Sequence, residues 1–313
     1  MKHFGWLTHS LGALLVGLTL AGPSQAAPAK SFAFALIPYP PLGESNQWQQ
    51  QMQAANEENL AFVLVNGLKS RVEACSDQVY LQRKSVFDEF EHGVVLSLAE
   101  QDWSACQKSD GRSNAVDRLA RLRELFYADE FSLGNSKLEL MRLSRNPKFR
   151  NYPENARWEI NGVLFATIHL PASNNRFRAE AGRNSEFEDR QVANRDWLKK
   201  LFVQAKTNQA LVLISDGNVM GANYAKHGKL RSVGNERNQD GFADLQQKLL
   251  KLAEQYNGKI LLIDHAASEK SVPNIAWRGK LGTLSLPARA NAVRYIVQVN
   301  PARPQMFSLK VTP

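Results

Sequence analysis

The sequence predicts an α/β layered domain, and three observations carry that prediction. Apolar runs of strand length recur along the chain, and amphipathic segments of helix length separate them. The last fifth holds alternating segments with no helix between them. No internal repeat, low-complexity tract or linker interrupts this order, so residues 27–313 are expected to form a single domain.

Taken in order, Phe32 to Ile37 reads as a buried strand stopped by Pro38-Tyr39-Pro40-Pro41. Gln47 to Leu60 reads as a helix. Ala61 to Val65 is a second strand, closed by the turn signal Asn66-Gly67. Val79 to Glu91 is helical, and Gly93 to Leu98 is a third strand. Asn114, with Asp117 three residues on, is placed to cap a helix whose Val116, Leu119 and Phe126 share a buried stripe, with Arg123 at its edge. Arg157 to Gly162 and Val163 to Leu170 form a hairpin or neighbouring strands, and Asp189 to Lys206 is a long helix. Ala210 to Ser215 is a buried strand, followed by a polar, glycine-rich loop over 216–241. Phe242, Leu245, Leu249, Leu252 and Tyr256 make a helical stripe that Gly258 ends, and Ile260 to Ile263 is a strand. Leu281 to Leu286, Val293 to Val299 and Met306 to Val311 alternate and read as antiparallel strands.

The first residues have the pattern of an export signal over 1–26. Lys2 is the positive start, Leu11 to Ala21 is the apolar run, and Pro23 breaks it. Ser24-Gln25-Ala26 supplies small residues for a cut after Ala26. The run is shorter than the roughly 20 apolar residues that span a bilayer, and no other stretch qualifies. The expected location is periplasmic or secreted, and the expected mature chain has no transmembrane segment.

The formal net charge is +9. A basic protein of this kind attracts anions such as phosphate esters or envelope polymers. Its basic residues are dispersed, with no finger, helix-turn-helix or other specific nucleic-acid motif. Cys75 and Cys106 are too few for a disulfide-built fold or a zinc-cysteine cluster. There is no glycine-rich phosphate cradle, no His-Glu-x-x-His and no Gly-x-Ser-x-Gly. His92 and His227 sit in polar surroundings and read as surface residues. His169 and His265 each follow an apolar strand, which is where ligands bind in open α/β sheets.

These residues carry a family resemblance. Ala35-Leu36-Ile37-Pro38-Tyr39 stands where the family has Gly-Asp-Thr-Pro-Tyr. Val65-Asn66-Gly67-Leu68-Lys69 stands for Val-Gly-Asp-Ile-Lys, and residues 99–106, Ala-Glu-Gln-Asp-Trp-Ser-Ala-Cys, for Gly-Asp-Asn-Glu-Trp-Thr-Asp-Cys. Tyr152-Pro153-Glu154-Asn155-Ala156-Arg157-Trp158 is close to intact. So is the stretch from His169 to Asn175, for His-x-Pro-Gly-Ser-Asn-Asn. Residues 263–269 stand for Leu-Val-His-Gly-Asp-Thr-His. In this ordered run the chain resembles the calcineurin-like metallophosphoesterases, in particular an exported bacterial branch, over most of its mature length.

The resemblance implies a four-layer α-β-β-α sandwich with two central mixed sheets. It also implies that the metal site is degenerate. Leu36 replaces the first metal-binding aspartate, Gly67 the bridging one, Gln101 a metal-binding asparagine, and Glu269 a terminal histidine. His169 and His265 keep the family's residue type. They are the candidates for catalysis and, with Asp102 and Asp264, for residual metal ligation; Glu100 and Glu269 are further nearby acids. A divalent pair needs several hard anionic ligands and a bridging group. No cofactor is therefore expected beyond, at most, one divalent metal ion. Lys69 is the candidate for anion binding, and Cys75 and Cys106 fall where the exported branch also has cysteines, so a disulfide is expected. The function expected is that of an exported pseudoenzyme binding an anionic small molecule, an envelope polymer or a protein partner. The alternatives are a phosphoesterase with a rearranged or single-metal site, and a structural exported protein.

Overall fold

Two sheets face each other in the computed structural model, which describes residues 1–3, 30–39, 45–178, 184–221, 224, 227–229, 239–265, 272–287 and 294–312. The expected export signal beyond its first three residues, and Glu269, lie outside the described residues. The first sheet has the strand order Phe307–Thr312, Arg294–Val299, Phe32–Pro38, Phe62–Asn66, Val94–Ser97, and the second the order Met141–Arg142, Ala156–Ile160, Val163–Thr167, Ala210–Ile214, Lys259–His265, Leu281–Leu286, Ala276–Arg278. In the first, β1 (Phe32–Pro38), β2 (Phe62–Asn66) and β3 (Val94–Ser97) run parallel, while β11 (Arg294–Val299) and β12 (Phe307–Thr312) are antiparallel. In the second, β6 (Val163–Thr167), β7 (Ala210–Ile214), β8 (Lys259–His265) and β10 (Leu281–Leu286) are parallel. The short β4 (Met141–Arg142) and β9 (Ala276–Arg278) are the two edges, and they and β5 (Ala156–Ile160) pair antiparallel with their neighbours.

Continuous apolar strands need cover on both faces, and the chain provides it. Phe34, Phe62, Phe165 and Trp158 meet between the sheets. Phe34 stacks on Phe62 with ring centroids 4.9 Å apart, and Phe62 meets Trp158 edge-on at 5.3 Å. The alternate residues point outward. Helices α1 (Ser45–Asn56), α2 (Asp77–Asp88) and α3 (Ala115–Phe126) pack on Ala35, Ile37, Val63 and Val65 of the first sheet. Helices α4 (Ser185–Gln204) and α5 (Ala243–Gln255) cover Leu211, Leu213, Ile260 and Leu262 of the second. The architecture is thus a mixed α/β fold of two central sheets flanked by helices.

Several local expectations change. Val116 is 58% exposed, and Leu122 takes its place in the α3 stripe beside Leu119 and Phe126, because the first turn of α3 presents Ala115 inward. Asn114 occupies the N-cap position of α3 but makes no side-chain cap bond. A cap absent from the sequence reading is at α2, where Ser76 Oγ accepts from Val79 N at 3.3 Å. The last three segments are not one antiparallel group. β10 joins the second sheet parallel to β8, and β11 and β12 join the first. Cys75 and Cys106 form a disulfide, with Cα atoms 5.7 Å apart. No helix among the described residues is long and apolar enough to cross a membrane.

Candidate functional site

Strand alternation decides which side chains meet above the inter-sheet core. Leu36, Leu64 and Val95 face that core, as do Phe165, Ile214 and Ile263. Continuing the period to the carboxyl ends brings Asn66 and Ser97 from the first sheet toward Asp216 and His265 from the second. Asn66 Nδ2 donates across the gap to the Ser215 carbonyl at 3.2 Å.

Asp216 is the hub on the second sheet. Its Oδ2 accepts from the backbone N–H of Glu100 at 2.7 Å and of Ala172 at 2.9 Å, joining loops from both sheets. Its Oδ1 lies 3.1 Å from His265 Nδ1. Glu100 returns the tie, with Oε2 accepting from Ser173 N at 2.8 Å. Asp264 precedes His265 in the chain and so points to the other face of β8. There its Oδ1 accepts from Ser285 Oγ at 2.6 Å, and burial pushes its carboxyl up to about 8.

His169 belongs to a second cluster. Its Nδ1 lies 2.9 Å from Glu154 Oε1, and Arg123 grips the same carboxylate at 2.5 and 3.0 Å. Burial works to raise Glu154, but Arg123 and His169 outweigh it and hold the acid at about 2. An ionised carboxylate only accepts, so His169 donates from Nδ1. Burial lowers the His169 pKa against the pull of Glu154, so the ring is neutral at neutral pH. Its Nε2 is buried and has no hydrogen-bond partner among the described residues. Trp103 stands edge-on to the ring at 5.6 Å. The turn that follows holds Asn174, Asn175 and Arg176 at φ of 50°, 51° and 54°. The fully buried Arg190 grips Asn175 Oδ1 and donates to the Asn175 carbonyl at 3.0 Å, fixing that left-handed run.

The positions matched to metal-binding residues have other uses. Leu36 is fully buried in the inter-sheet core. Gly67 has φ +79°, and a Cβ there would lie 3.0 Å from Ala99 Cβ and 3.5 Å from Gln101 Nε2. A carboxylate at 67 would meet both left-handed strain and occupied space. Gln101 Nε2 donates to the carbonyls of Lys69 at 2.7 Å and Tyr39 at 3.3 Å, so one amide ties the loops after β1, β2 and β3. Asp102 is fully buried. Its carboxylate accepts from Leu68 N at 2.9 Å, Lys69 N at 3.3 Å and Ala99 N at 2.8 Å. Burial raises it to about 7 against the pull of those N–H groups. Lys69 is buried as well, with Nζ donating to the carbonyls of Ser70 at 2.8 Å and Glu73 at 3.0 Å. Burial lowers its pKa.

This donor set does not fit a two-metal centre. Gly67 and Leu36 supply no lone pair, and Asp102 spends its oxygens on backbone. The two histidines are held by different carboxylates on different elements. Among the described residues no group of three or more His, Cys, Asp or Glu side chains converges as a metal site. The sequence singles out His169, His265, Asp102, Asp264 and Lys69, while Asp216 stands in it only at the end of a strand and Glu154 only within a motif. The strand-end rule that found His265 would also have found Asp216. His227 is exposed and His92 is half-buried. The chain matches no protein-family model and no curated protein.

Proposed function

We propose that this chain is an exported metallophosphoesterase-like protein that has lost the two-metal centre and works by binding. The observation that carries this reading is Gln101. A metal pair in such a fold draws together the loops that follow the strands, and here one side-chain amide draws together the loops after β1, β2 and β3. The partly intact motifs around His169 and the two-sheet architecture support the family assignment. The test loads the purified chain with manganese, zinc or iron, removes loose ion, and measures stoichiometry and hydrolysis of phosphate mono- and diesters. We expect fewer than two tightly held ions per chain and no turnover. Two ions, with turnover abolished by His169→Ala and by His265→Ala, would overturn the reading. N-terminal sequencing of the exported form tests cleavage after Ala26.

One observation favours a second reading, a phosphoesterase with a single-metal site. Both histidines lie with Nδ1 against a carboxylate, which is how ligating imidazoles are usually oriented. One tightly held ion with turnover lost in either histidine variant is the outcome that reading requires.

A further inference from the structure

Away from the strand ends, a groove of about 300 Å³ opens between α1 and the end of α2, lined by Gln49, Met52, Gln53, Asn56, Val86, Glu89 and Phe90. That volume is at the lower end of the range for small-molecule sites, about 300–1,000 Å³. The helix along it has no charged residue, reading Ser-Asn-Gln-Trp-Gln-Gln-Gln-Met-Gln-Ala-Ala-Asn. Gln49, Gln53 and Asn56 stand at i, i+4 and i+7, so their amides line one face. Among the described residues neither Gln49 nor Gln53 makes a side-chain hydrogen bond, while Asn56 Oδ1 accepts from Glu91 N at 3.1 Å. Met52 and Phe90 are buried and form an apolar floor with Val86.

We propose that this groove binds a short neutral oligosaccharide. Each glutamine amide offers two N–H donors and a carbonyl acceptor, which suits ligand hydroxyls that both give and take. The apolar floor suits the C–H face of a sugar ring. Glu89, the one charged residue in the lining, repels phosphate and carboxylate and turns the site toward an uncharged ligand. The assignment rests on the binding reading above and names a neutral glycan as the envelope ligand.

The experiment titrates chitotriose, cellotriose and maltotriose into the mature chain by calorimetry, with heparin as an anionic polymer. The comparison is the Gln49→Ala/Gln53→Ala double variant. Alanine is the better helix former, so the variant keeps its fold and Tm. We expect at least one trisaccharide to bind one to one, and the double variant to weaken it about tenfold or more, the loss of roughly one or two hydrogen bonds. No binding of any of the three at about 10 mM, a concentration that would nearly saturate a site with a Kd of about 1 mM, would overturn the proposal. So would binding that the double variant leaves unchanged. Heparin binding that survives in both proteins while no trisaccharide binds removes the groove assignment alone and leaves the binding reading standing.

Discussion

Glu154 and Asp264 are both buried carboxyls, and their neighbours push them in opposite directions. Glu154 is held at about 2 because Arg123 and His169 outweigh its burial, so its contribution to stability is complete above the ordinary range near 4.5 and is lost as pH falls toward 2. Burial raises Asp264 to about 8 against the one side-chain donor it has among the described residues, Ser285 Oγ, so its contribution is complete below 3.8 and is lost as pH rises to 8. Asp264→Asn keeps the acceptor for Ser285 and removes the charge. Thermal scans should show this variant more stable than the wild type by clearly more at about pH 9 than at about pH 5, because the cost of keeping the acid protonated grows from 3.8 up to about 8. An equal change at both values would contradict the assignment of a neutral buried acid. Glu154→Gln leaves the largely buried Arg123 without its counter-ion, and should cost about 3 kcal/mol at neutral pH by chemical denaturation.

The segment 67–75 shows the same logic at the scale of an element. Arg83 Nε donates to the Leu68 carbonyl at 3.0 Å, and its Nη2 reaches Tyr39 Oη at 2.9 Å and Glu73 Oε1 at 2.5 Å. Glu73 Oε2 accepts from Ser70 N at 2.6 Å, and Lys69 binds carbonyls of the same loop. The disulfide closes the end at Cys75. Arg71 and Val72 are thus exposed on a loop held from within. Trypsin should cleave slowly after Arg71 in the wild type and readily in Arg83→Met, which removes the counter-ion of Glu73 and costs about 3 kcal/mol. Equal cleavage of both proteins would refute this. Replacing both cysteines by serine should lower stability by up to about 4 kcal/mol, since the bridge spans 31 residues. Little of this was legible beforehand. The strands could be read because both faces of each are covered, so composition alone marks them. Arg83, Glu73 and Glu154 could not, because their partners lie 10 to 44 residues away in the chain. Arg123 stands at the edge of a helical stripe in the sequence, and its grip on Glu154 depends on a loop 31 residues further on. Val116 was misplaced because an apolar residue in the first turn of a helix fits a helical period whether it faces the core or solvent.

At the scale of the whole molecule the question is what holds the two sheets together at the end where ligands would bind. Below that end the aromatic layer of Phe34, Phe62, Trp158 and Phe165 serves, and Phe62→Ala should cost about 3–5 kcal/mol by the usual cavity penalty. At the strand ends the ties are polar and come from the chain itself. Asn66 reaches Ser215, Asp216 takes the N–H groups of Glu100 and Ala172, Glu100 takes that of Ser173, and Arg176 donates to the Ser104 carbonyl at 2.9 Å. If metal ions supplied this closure, their removal would loosen the strand ends and lower the Tm, because any species bound only by the folded state stabilises it by mass action. If the side chains supply it, removal of ions changes nothing and loss of Asp216 changes much. Dialysis of the freshly purified protein against EDTA should therefore leave its Tm unmoved. Asp216→Ala should strip two backbone N–H groups of their acceptor and cost about 2–3 kcal/mol, the range for buried hydrogen bonds to a charged group. A Tm that falls on chelation and returns with added zinc or manganese would show that an ion, and not Asp216 and Gln101, draws the loops together.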